Sequence, residues 1–288
     1  MHDIQQLHTA HRIRDRLAQC LIYGAVLLVG AVFIWILADL ARGGIAHLSW
    51  EFITESPRDA GRAGGVASIL VSTLLILCVA LLSAVPLAWS TAILLVECVP
   101  AASSFGKTIR FSLHVLAGVP SIVFGLFGNA FFSIYMGLGF SILSGGLTLA
   151  CMLLPILTST AEAGLRAVPD TYRLSASALG MTRTATLIHL ILPAAAPALA
   201  AGLLLGIGRA LAETAALLFT SGYVERMPGS LLDSGRALAL HIFDLSMNVP
   251  GGDIPAYASA LVLVTLLLCI NILAMKLAHG LQRRKIMT

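Results

Sequence analysis

The sequence predicts an all-α polytopic membrane protein with six transmembrane helices. Of its 288 residues, 58% are hydrophobic and only 11% are charged, whereas about a quarter of the residues of a soluble domain are charged. Six apolar stretches each approach or exceed the roughly 20 residues that a helix needs to cross a bilayer. Their apolar residues are continuous rather than alternating, which favours helices over the strands of a membrane barrel.

The stretches are separated by glycine, proline and polar residues. The six are Leu17–Leu40, Val66–Leu95, Phe111–Tyr135, Ile142–Thr160, Leu190–Phe219 and Tyr257–Ala278. The first follows three arginines and resembles a signal peptide, but its length and the lack of a small-residue cleavage site predict an uncleaved helix. Internal prolines predict kinks in a packed bundle. These are Pro86, Pro120, Pro155, Pro193 and Pro197.

The distribution of lysine and arginine predicts the orientation. If the N-terminus is cytoplasmic, twelve of the 18 basic residues fall on the inner side, five fall on the outer side, and Arg209 lies within a membrane segment. Lys and Arg are enriched in cytoplasmic loops. The sequence therefore predicts a multi-pass membrane protein with both termini in the cytoplasm.

Several chemical functions find no support in the sequence. The five cysteines lie in or beside apolar runs without a CxxC pair, which is typical of packing residues rather than metal ligands. Ala101–Thr108 reads AASSFGKT and resembles a phosphate-binding loop, but such a loop joins a strand to a helix. We therefore expect no metal, nucleotide or other cofactor on this chain, no surface for nucleic acid, and no enzymatic activity of its own.

A polar segment interrupts the apolar pattern between the fourth and fifth stretches. Pro169 and Asp170 predict a helix start, and Gly180 predicts its end in a left-handed conformation. One face of this helix combines small and apolar side chains at helical spacing, namely Val168, Tyr172, Ser175, Ala176 and Leu179. Thr182 predicts the cap of a second helix that continues into the membrane. These residues fit either a docking helix or an amphipathic linker on the bilayer surface.

Two charged residues lie in the fifth apolar stretch, at Arg209 and Glu213. A continuous helix over Leu190–Phe219 would be about 45 Å long and would place Arg209 near mid-membrane. An arginine there is costly unless it faces protein or water, and i, i+4 spacing predicts an ion pair with Glu213. A guanidinium suits an oxyanion because it donates a fork of N–H bonds. The alternatives are a pathway for an anion, a structural ion pair, and a pair between Arg209 and a carboxylate of a partner chain.

The polar segment resembles the EAA-type loop of binding-protein-dependent ABC importer permeases. That pattern places Glu-Ala-Ala, a glycine and an aliphatic-x-Leu-Pro at fixed spacing. Here Leu174, Ser175 and Ala176 occupy the first positions, followed by Gly180 and by Leu190, Leu192 and Pro193; Leu174 replaces the glutamate. Leu116–Gly128, Val168–Arg183, Gly208–Tyr223 and Ile270–Ala278 are all similar to phosphate importer permeases of the PstA type.

This resemblance implies a type I ABC importer permease fold in the bacterial inner membrane, with a permease core at 66–279 between an N-terminal part (1–65) and a basic tail (280–288). It implies that Val168–Gly180 couples to a separate ATPase dimer, which uses ATP and Mg²⁺, and that Arg209 and Glu213 lie on the phosphate pathway. The other implied partners are a homologous permease and a periplasmic phosphate-binding protein, for which Asp233–Asp244 is a candidate amphipathic contact.

Other functions stay open at this point. A permease for sulfate, molybdate or tungstate would share the same charge pattern. An ATP-independent secondary transporter or channel is less favoured, because the sequence has no inverted repeat and only Glu213 lies deep in an apolar run.

Overall fold

The computed structural model describes residues 2–100 and 102–286, with side chains described for 15–100 and 102–276. Ala101, the side chains of Arg12 and Arg14, and those of the basic tail lie outside the described residues. The division into 1–65, 66–279 and 280–288 stays a prediction.

Helices dominate the described chain. In order they are α1 His2–Gly44, α2 Trp50–Thr54, α3 Ala67–Ile93, α4 Ser104–Ala117, α5 Ser121–Gly128, α6 Ile142–Arg166, α7 Asp170–Ala178, α8 Arg183–Thr186, α9 Leu192–Leu211, α10 Ala215–Leu218, α11 Leu238–Met247 and α12 Asp253–Ile286. Leu94–Cys98, Asn129–Tyr135 and Leu187–Ile191 are π-helical, and Ile45–His47 and Asp59–Gly61 are 3₁₀ turns. Two short strands, β1 Pro57–Arg58 and β2 Ala63–Gly64, pair antiparallel.

Five helical segments of the described residues are long and apolar enough to cross a membrane, and a bent pair supplies a sixth span. The five are Asp15–His47, Ala67–Cys98, Ile142–Arg166, Arg183–Leu211 and Asp253–Lys276. The predicted all-α fold with six spans is confirmed when the bent pair counts as one.

The predicted third helix, Phe111–Tyr135, is wrong as a single element. The chain forms α4 and α5 instead, with a bend of 100° between Ser104–Ala117 and Ser121–Tyr135. Pro120 is extended, at φ −61° and ψ 144°, and a residue that precedes proline is disfavoured in the helical region. The result is a complete break rather than the predicted kink. By contrast, Pro86 and Pro155 lie within the continuous helices α3 and α6.

Small residues bring the central helices together. The α3–α6 contact runs along Ala80, Ala84 and Ala88, all fully buried, and a Cβ on Gly146 of α6 would lie 2.6 Å from the Val79 Cβ. On another face of α6, a Cβ on Gly164 would lie 2.6 Å from the Ala198 Cβ of α9. Such close approach is how membrane helices gain packing energy. α6 is therefore the central helix, with α3 and α9 against it.

The predicted fifth helix, Leu190–Phe219, is also wrong at its end. α9 stops at Leu211, residues 212–214 are not helical, and α10 is a separate turn. Residues 211–218 contain no glycine or proline, so the break does not follow from helix propensity. Packing explains it: a Cβ on Gly125 of α5 would lie 2.9 Å from the Ala216 Cα of α10. This contact holds α10 against α5.

The segment between α10 and α12 closes one end of the bundle, which we call the loop end. It satisfies the free N–H groups at the start of α6: Ser141 donates to the Thr220 carbonyl at 3.0 Å, and Ile142 donates to that of Asp233 at 2.9 Å. Backbone donors at a helix start need such partners. The opposite end of α6 leads to α7, and we call it the α7 end.

Candidate functional site

A cavity of about 180 Å³ lies where the two broken helices meet α6. Its walls are Leu116 and Ala117 of α4, Phe124 of α5, Met152, Pro155, Ile156 and Ser159 of α6, and Arg209 of α9. The volume corresponds to several water molecules at about 30 Å³ each. Non-helical backbone at membrane depth is tolerated where it lines a cavity or is buried in protein, and in transporters such breaks surround substrate sites.

Arg209 is the charged residue of this cavity. It lies in the last turn of α9 and is exposed, and among the described side chains it forms no ion pair or hydrogen bond. A cation is stabilised by the dipole at a helix C-terminus, but a guanidinium at this depth still needs an anion, water or a partner chain.

The predicted ion pair between Arg209 and Glu213 is wrong. Because α9 ends at Leu211, Glu213 does not continue the helical face that carries Arg209. Its Oε1 instead accepts a hydrogen bond from the Ala216 N–H at 3.2 Å. Glu213 thus satisfies a donor at the start of α10 and stabilises the break beside the cavity, while Arg209 has no charged partner among the side chains that the structure describes.

The polar segment at the α7 end has the predicted local structure. Pro169 precedes α7, whose first residue is Asp170. Gly180 is left-handed, with φ +74°, and Thr182 Oγ1 accepts from the Ala185 N–H at 3.2 Å. α8 and a π segment then lead directly into α9. The predictions of a short helix, a glycine stop and a second capped helix are confirmed.

The predicted face of α7 divides into buried and exposed parts. Val168 and Ala176 are buried against the bundle, and Ser175 is exposed. The large apolar side chains point outward: Tyr172 is 44% exposed, Leu174 67% and Leu179 80%. Leu174, which stands at the glutamate position of the EAA pattern, belongs to this exposed surface. The helix therefore presents apolar groups away from the chain.

Three arginines from different helices hold the end of α3, forming a cluster that we call the α3 clamp. Arg173 of α7 contacts Glu97 with its Nη2 2.6 Å from Oε1. Arg110 of α4 and Arg166 of α6 share Glu162, at 2.8 and 2.9 Å, and both donate to the Leu95 carbonyl at 3.3 and 3.4 Å. Arginine donors suit the free carbonyls of a helix C-terminus. The hydrogen bonds that Arg173 donates to Glu97 raise the pKa of this arginine above its usual range.

Comparison with known proteins identifies the family. Residues 84–286 match the family described as the inner membrane component of binding-protein-dependent transport systems. The chain belongs to this family. It is a permease subunit of an ABC importer, a transport subunit that is not itself catalytic.

Named relatives agree with the resemblance to PstA. The permease is 32% identical over 275 residues to the phosphate transport system permease protein PstA of Mycobacterium leprae, covering 93% of this chain and 90% of that protein. It is 28% identical to the probable ABC transporter permease protein YqgI of Bacillus subtilis, covering 91% and 94%. It is also 30% identical to PstC of Xylella fastidiosa, covering 72% and 69%.

Solved structures support the fold. A bacterial ABC transporter that imports alginate aligns with a TM-score of 0.61 at 14% identity, covering 93% of this permease and 99% of that chain. The MetNI methionine transporter aligns with a TM-score of 0.58 at 15% identity, covering 75% and 94%. At these identities the likeness concerns the fold alone.

The α3 clamp of the permease is not among the predictions from the sequence. There, Arg110, Arg166 and Arg173 count as inner-side basic residues, and Glu97 and Glu162 have no predicted role. One signal was available: Glu162 and Arg166 have i, i+4 spacing on a predicted helix. The other pairs are separated by 52 and 76 residues, and no local pattern reveals such contacts.

The prediction that Asp233–Asp244 forms an exposed amphipathic contact is wrong for most of that segment. Residues 235–241 are buried. Leu238 donates its N–H to the Thr73 Oγ1 of α3 at 2.8 Å, so α11 begins inside the bundle. A buried ion cluster explains this: Arg236 contacts Glu225 at 2.8 Å and Asp244 at 3.1 Å. The exposed apolar side chains at this end include Leu231, Leu232, Phe243 and Met247.

His241 makes the stability of this cluster depend on pH. Burial, then the positive charge of Arg236, lower its pKa from 6.5 to about 4, while Asp244 opposes the shift. Its Nδ1 lies 3.3 Å from Arg236 Nη1. The unfolded chain therefore binds the extra proton between pH 6.5 and 4, and we expect stability to be full above pH 6.5 and to fall towards pH 4, by up to about 3 kcal/mol.

Thermal unfolding of the purified protein across pH 4–7 checks this expectation. The His241→Gln variant should lose part of the pH dependence seen in the unmodified protein. His47→Gln is the matched control, because His47 is exposed, and it should leave the dependence unchanged. Identical pH profiles for His241→Gln and the unmodified protein would contradict the role of His241.

Proposed function

We propose that this permease translocates inorganic phosphate through the cavity that contains Arg209. It would act with a homologous permease, an ATPase dimer that uses ATP and Mg²⁺, and a periplasmic phosphate-binding protein. Both termini would be cytoplasmic, so that the α7 end faces the ATPase and the loop end faces the binding protein. The name of the Mycobacterium leprae relative, phosphate transport system permease protein PstA, supports the choice of phosphate.

The proposal rests on Arg209. Its guanidinium lies at a cavity between broken helices and has no partner among the described side chains. Arg209 has no compensating charge among the described side chains, and Glu213 is engaged at α10. A tetrahedral oxyanion accepts a bidentate pair of N–H bonds from arginine. The first turn of α5, which contributes Phe124 to the wall, adds the positive end of a helix dipole.

The proposed mechanism is alternating access. Closure of the ATPase dimer moves α7, and the connected helices open the cavity towards the loop end. Phosphate released by the binding protein then contacts Arg209. Hydrolysis of ATP reverses the movement and opens the cavity towards the cytoplasm. In this scheme Glu213 acts by holding the α9–α10 break, which positions Arg209.

Uptake by proteoliposomes tests the proposal. The complex, co-purified with its ATPase and binding protein, would be given phosphate, sulfate or molybdate with and without ATP. ATP-dependent uptake of phosphate is the expected result. ATP-dependent uptake of another oxyanion would contradict the choice of phosphate and support the coupling of transport to ATP. Uptake that does not depend on ATP would favour a secondary transporter or channel.

The exposed apolar face of α7 gives a prediction about the ATPase. A buried leucine side chain contributes about 2 kcal/mol to an interface, so Leu179→Asp should weaken binding of the ATPase roughly thirtyfold or more. Recovery of the ATPase with the tagged permease measures this effect. Leu232→Asp is the control, because Leu232 is 60% exposed at the loop end and should leave recovery unchanged. Full recovery with Leu179→Asp would argue against docking by α7.

A further inference from the structure

Helix α7 is linked to the end of α3 and to α6 by the side chain of Arg173. Arg173 donates to Glu97 at the end of α3 through Nη2 at 2.6 Å and Nε at 3.2 Å. It also donates to the Val168 and Leu165 carbonyls at 3.2 and 3.4 Å. The link to α9 passes through left-handed Gly180 and the π segment Leu187–Ile191. Gly180 has open space around it, so this turn can change its angle when α7 moves.

The end of α3 is held by hydrogen bonds from three arginines. It is π-helical over Leu94–Cys98, and the Leu95 carbonyl accepts from Arg110 and Arg166. Glu162, which is 12% exposed, is the shared carboxylate partner of those two arginines. The clamp therefore joins the ends of α3, α4, α6 and α7 through charge-assisted hydrogen bonds, which are roughly twice as strong as neutral ones.

From this end the connection continues to the Arg209 cavity. α3 and α6 pack closely through small residues, and α6 contributes Met152, Pro155, Ile156 and Ser159 to the cavity wall. A displacement of α7 that carries the α3–α6 pair with it changes this wall directly. α9 contributes Arg209 alone to the cavity, so movement of α9 would shift the cation relative to the wall.

We propose that Glu97 and Arg173 are positioning residues that transfer the movement of α7 to α3 and α6. This inference rests on the ATP coupling in the proposed function, and it does not depend on which anion is carried. In this proposal the movement passes from α7 to α3 through the contact between Arg173 and Glu97, which are 76 positions apart in the chain. It does not depend on the chain segment that connects α7 with α9.

The ratio of phosphate taken up to ATP hydrolysed tests the coupling. Glu97→Gln removes the charge from the strongest contact, and we expect the ratio to fall about tenfold while assembly and basal ATP hydrolysis are kept. The double variant Glu97→Arg/Arg173→Glu should restore much of the ratio. Asp59→Asn is the matched control, because Asp59 contacts Arg62 at 2.7 Å, lies outside the α3 clamp and α7, and is 62% exposed, and it should leave the ratio unchanged.

A purely structural clamp gives a different result: uptake and hydrolysis would fall together at a constant ratio, and this would overturn the proposal. So would a Glu97→Gln variant with an unchanged ratio.

A distance measurement separates this proposal from the choice of substrate. Spin labels on Cys98, which is exposed, and on Ala178→Cys would report the α3–α7 distance once the other cysteines are replaced. We expect one distance in the nucleotide-free and ATP-trapped complexes, and a different or broader distribution in Glu97→Gln. If Glu97 and Arg173 are unchanged and this distance still differs between the two complexes by about one helical turn, roughly 5 Å, the inference is overturned. That holds even if phosphate uptake is confirmed.

Discussion

The variant Arg209→Gln should abolish uptake while the complex still assembles. Glutamine keeps a hydrogen-bond donor but loses the charge and the fork of N–H groups that an oxyanion accepts. Two charge-assisted hydrogen bonds contribute about 3 kcal/mol or more, which corresponds to a loss of roughly a hundredfold or more in uptake. Initial rates of phosphate uptake in proteoliposomes measure the effect, with recovery of all subunits measured on the same preparation.

Two further variants separate charge from geometry. Arg209→Lys keeps the charge as a compact ammonium, so we expect uptake between that of Arg209→Gln and the unmodified protein. Arg226→Gln is the matched control, because Arg226 is an arginine of the loop end that is 66% exposed. It should transport normally, and a loss equal to that of Arg209→Gln would point to a general effect of positive charge.

The competing explanation is that Arg209 pairs with a carboxylate of the partner permease. In that case Arg209→Gln would weaken recovery of the partner, and uptake would fall in proportion to the assembled complex. Normal uptake by Arg209→Gln would remove the proposed anion contact altogether.

Glu213 is expected to respond differently from Arg209. Its Oε1 accepts the Ala216 N–H, and the side-chain oxygen of glutamine can accept the same bond. Glu213→Gln should therefore retain most uptake, while Glu213→Ala loses a capping contact of about 1 kcal/mol and should lower it. Loss of uptake in Glu213→Gln would show that the negative charge itself matters.

The difference between sequence and structure at this site has a physical cause. Composition and the length of the continuous apolar runs predict which segments enter the membrane, and the spans agree with the helices in number when the bent pair counts as one. Pro120 signals a local irregularity, although the 100° bend exceeds a kink. The break after Leu211 has no local signal, because it depends on the close contact between Gly125 and α10. Helix propensity is a weak prior that such contacts override.

The same reasoning explains why α7 was predictable and its attachment was not. Its start, its stop and the following cap are local features, since Pro169, Gly180 and Thr182 act within a few residues of their own positions. The α3 clamp joins residues from three other helices. Arg110 and Arg173 look like ordinary inner-side arginines in the sequence, and only the fold shows that each has a carboxylate partner.

The second large effect is expected at Arg236. Its side chain is 8% exposed and contacts Glu225 and Asp244, which are 23% and 15% exposed. It also donates to the Tyr223 carbonyl at 3.1 Å, and its guanidinium lies 5.4 Å from the ring of Tyr223. Arg236→Met would leave two poorly solvated carboxylates without a cation. Breaking a buried ion pair in this way costs about 3–5 kcal/mol, so the variant should unfold at a markedly lower temperature.

Thermal unfolding in detergent compares this variant with Arg226→Met. Arg226 contacts Asp233 at 3.4 Å and is 66% exposed, and an exposed pair contributes only about 0–1 kcal/mol. Both arginines belong to the loop end and both contact a carboxylate. The difference between their unfolding temperatures therefore measures the effect of burial on the stability of the ion pair. Neutralising the partners with Glu225→Gln and Asp244→Asn in the Arg236→Met background should recover part of the loss, because the isolated carboxylates cause most of it. Equal unfolding temperatures for Arg236→Met and Arg226→Met would contradict the assignment of Arg236 as the cation that holds α11 inside the bundle.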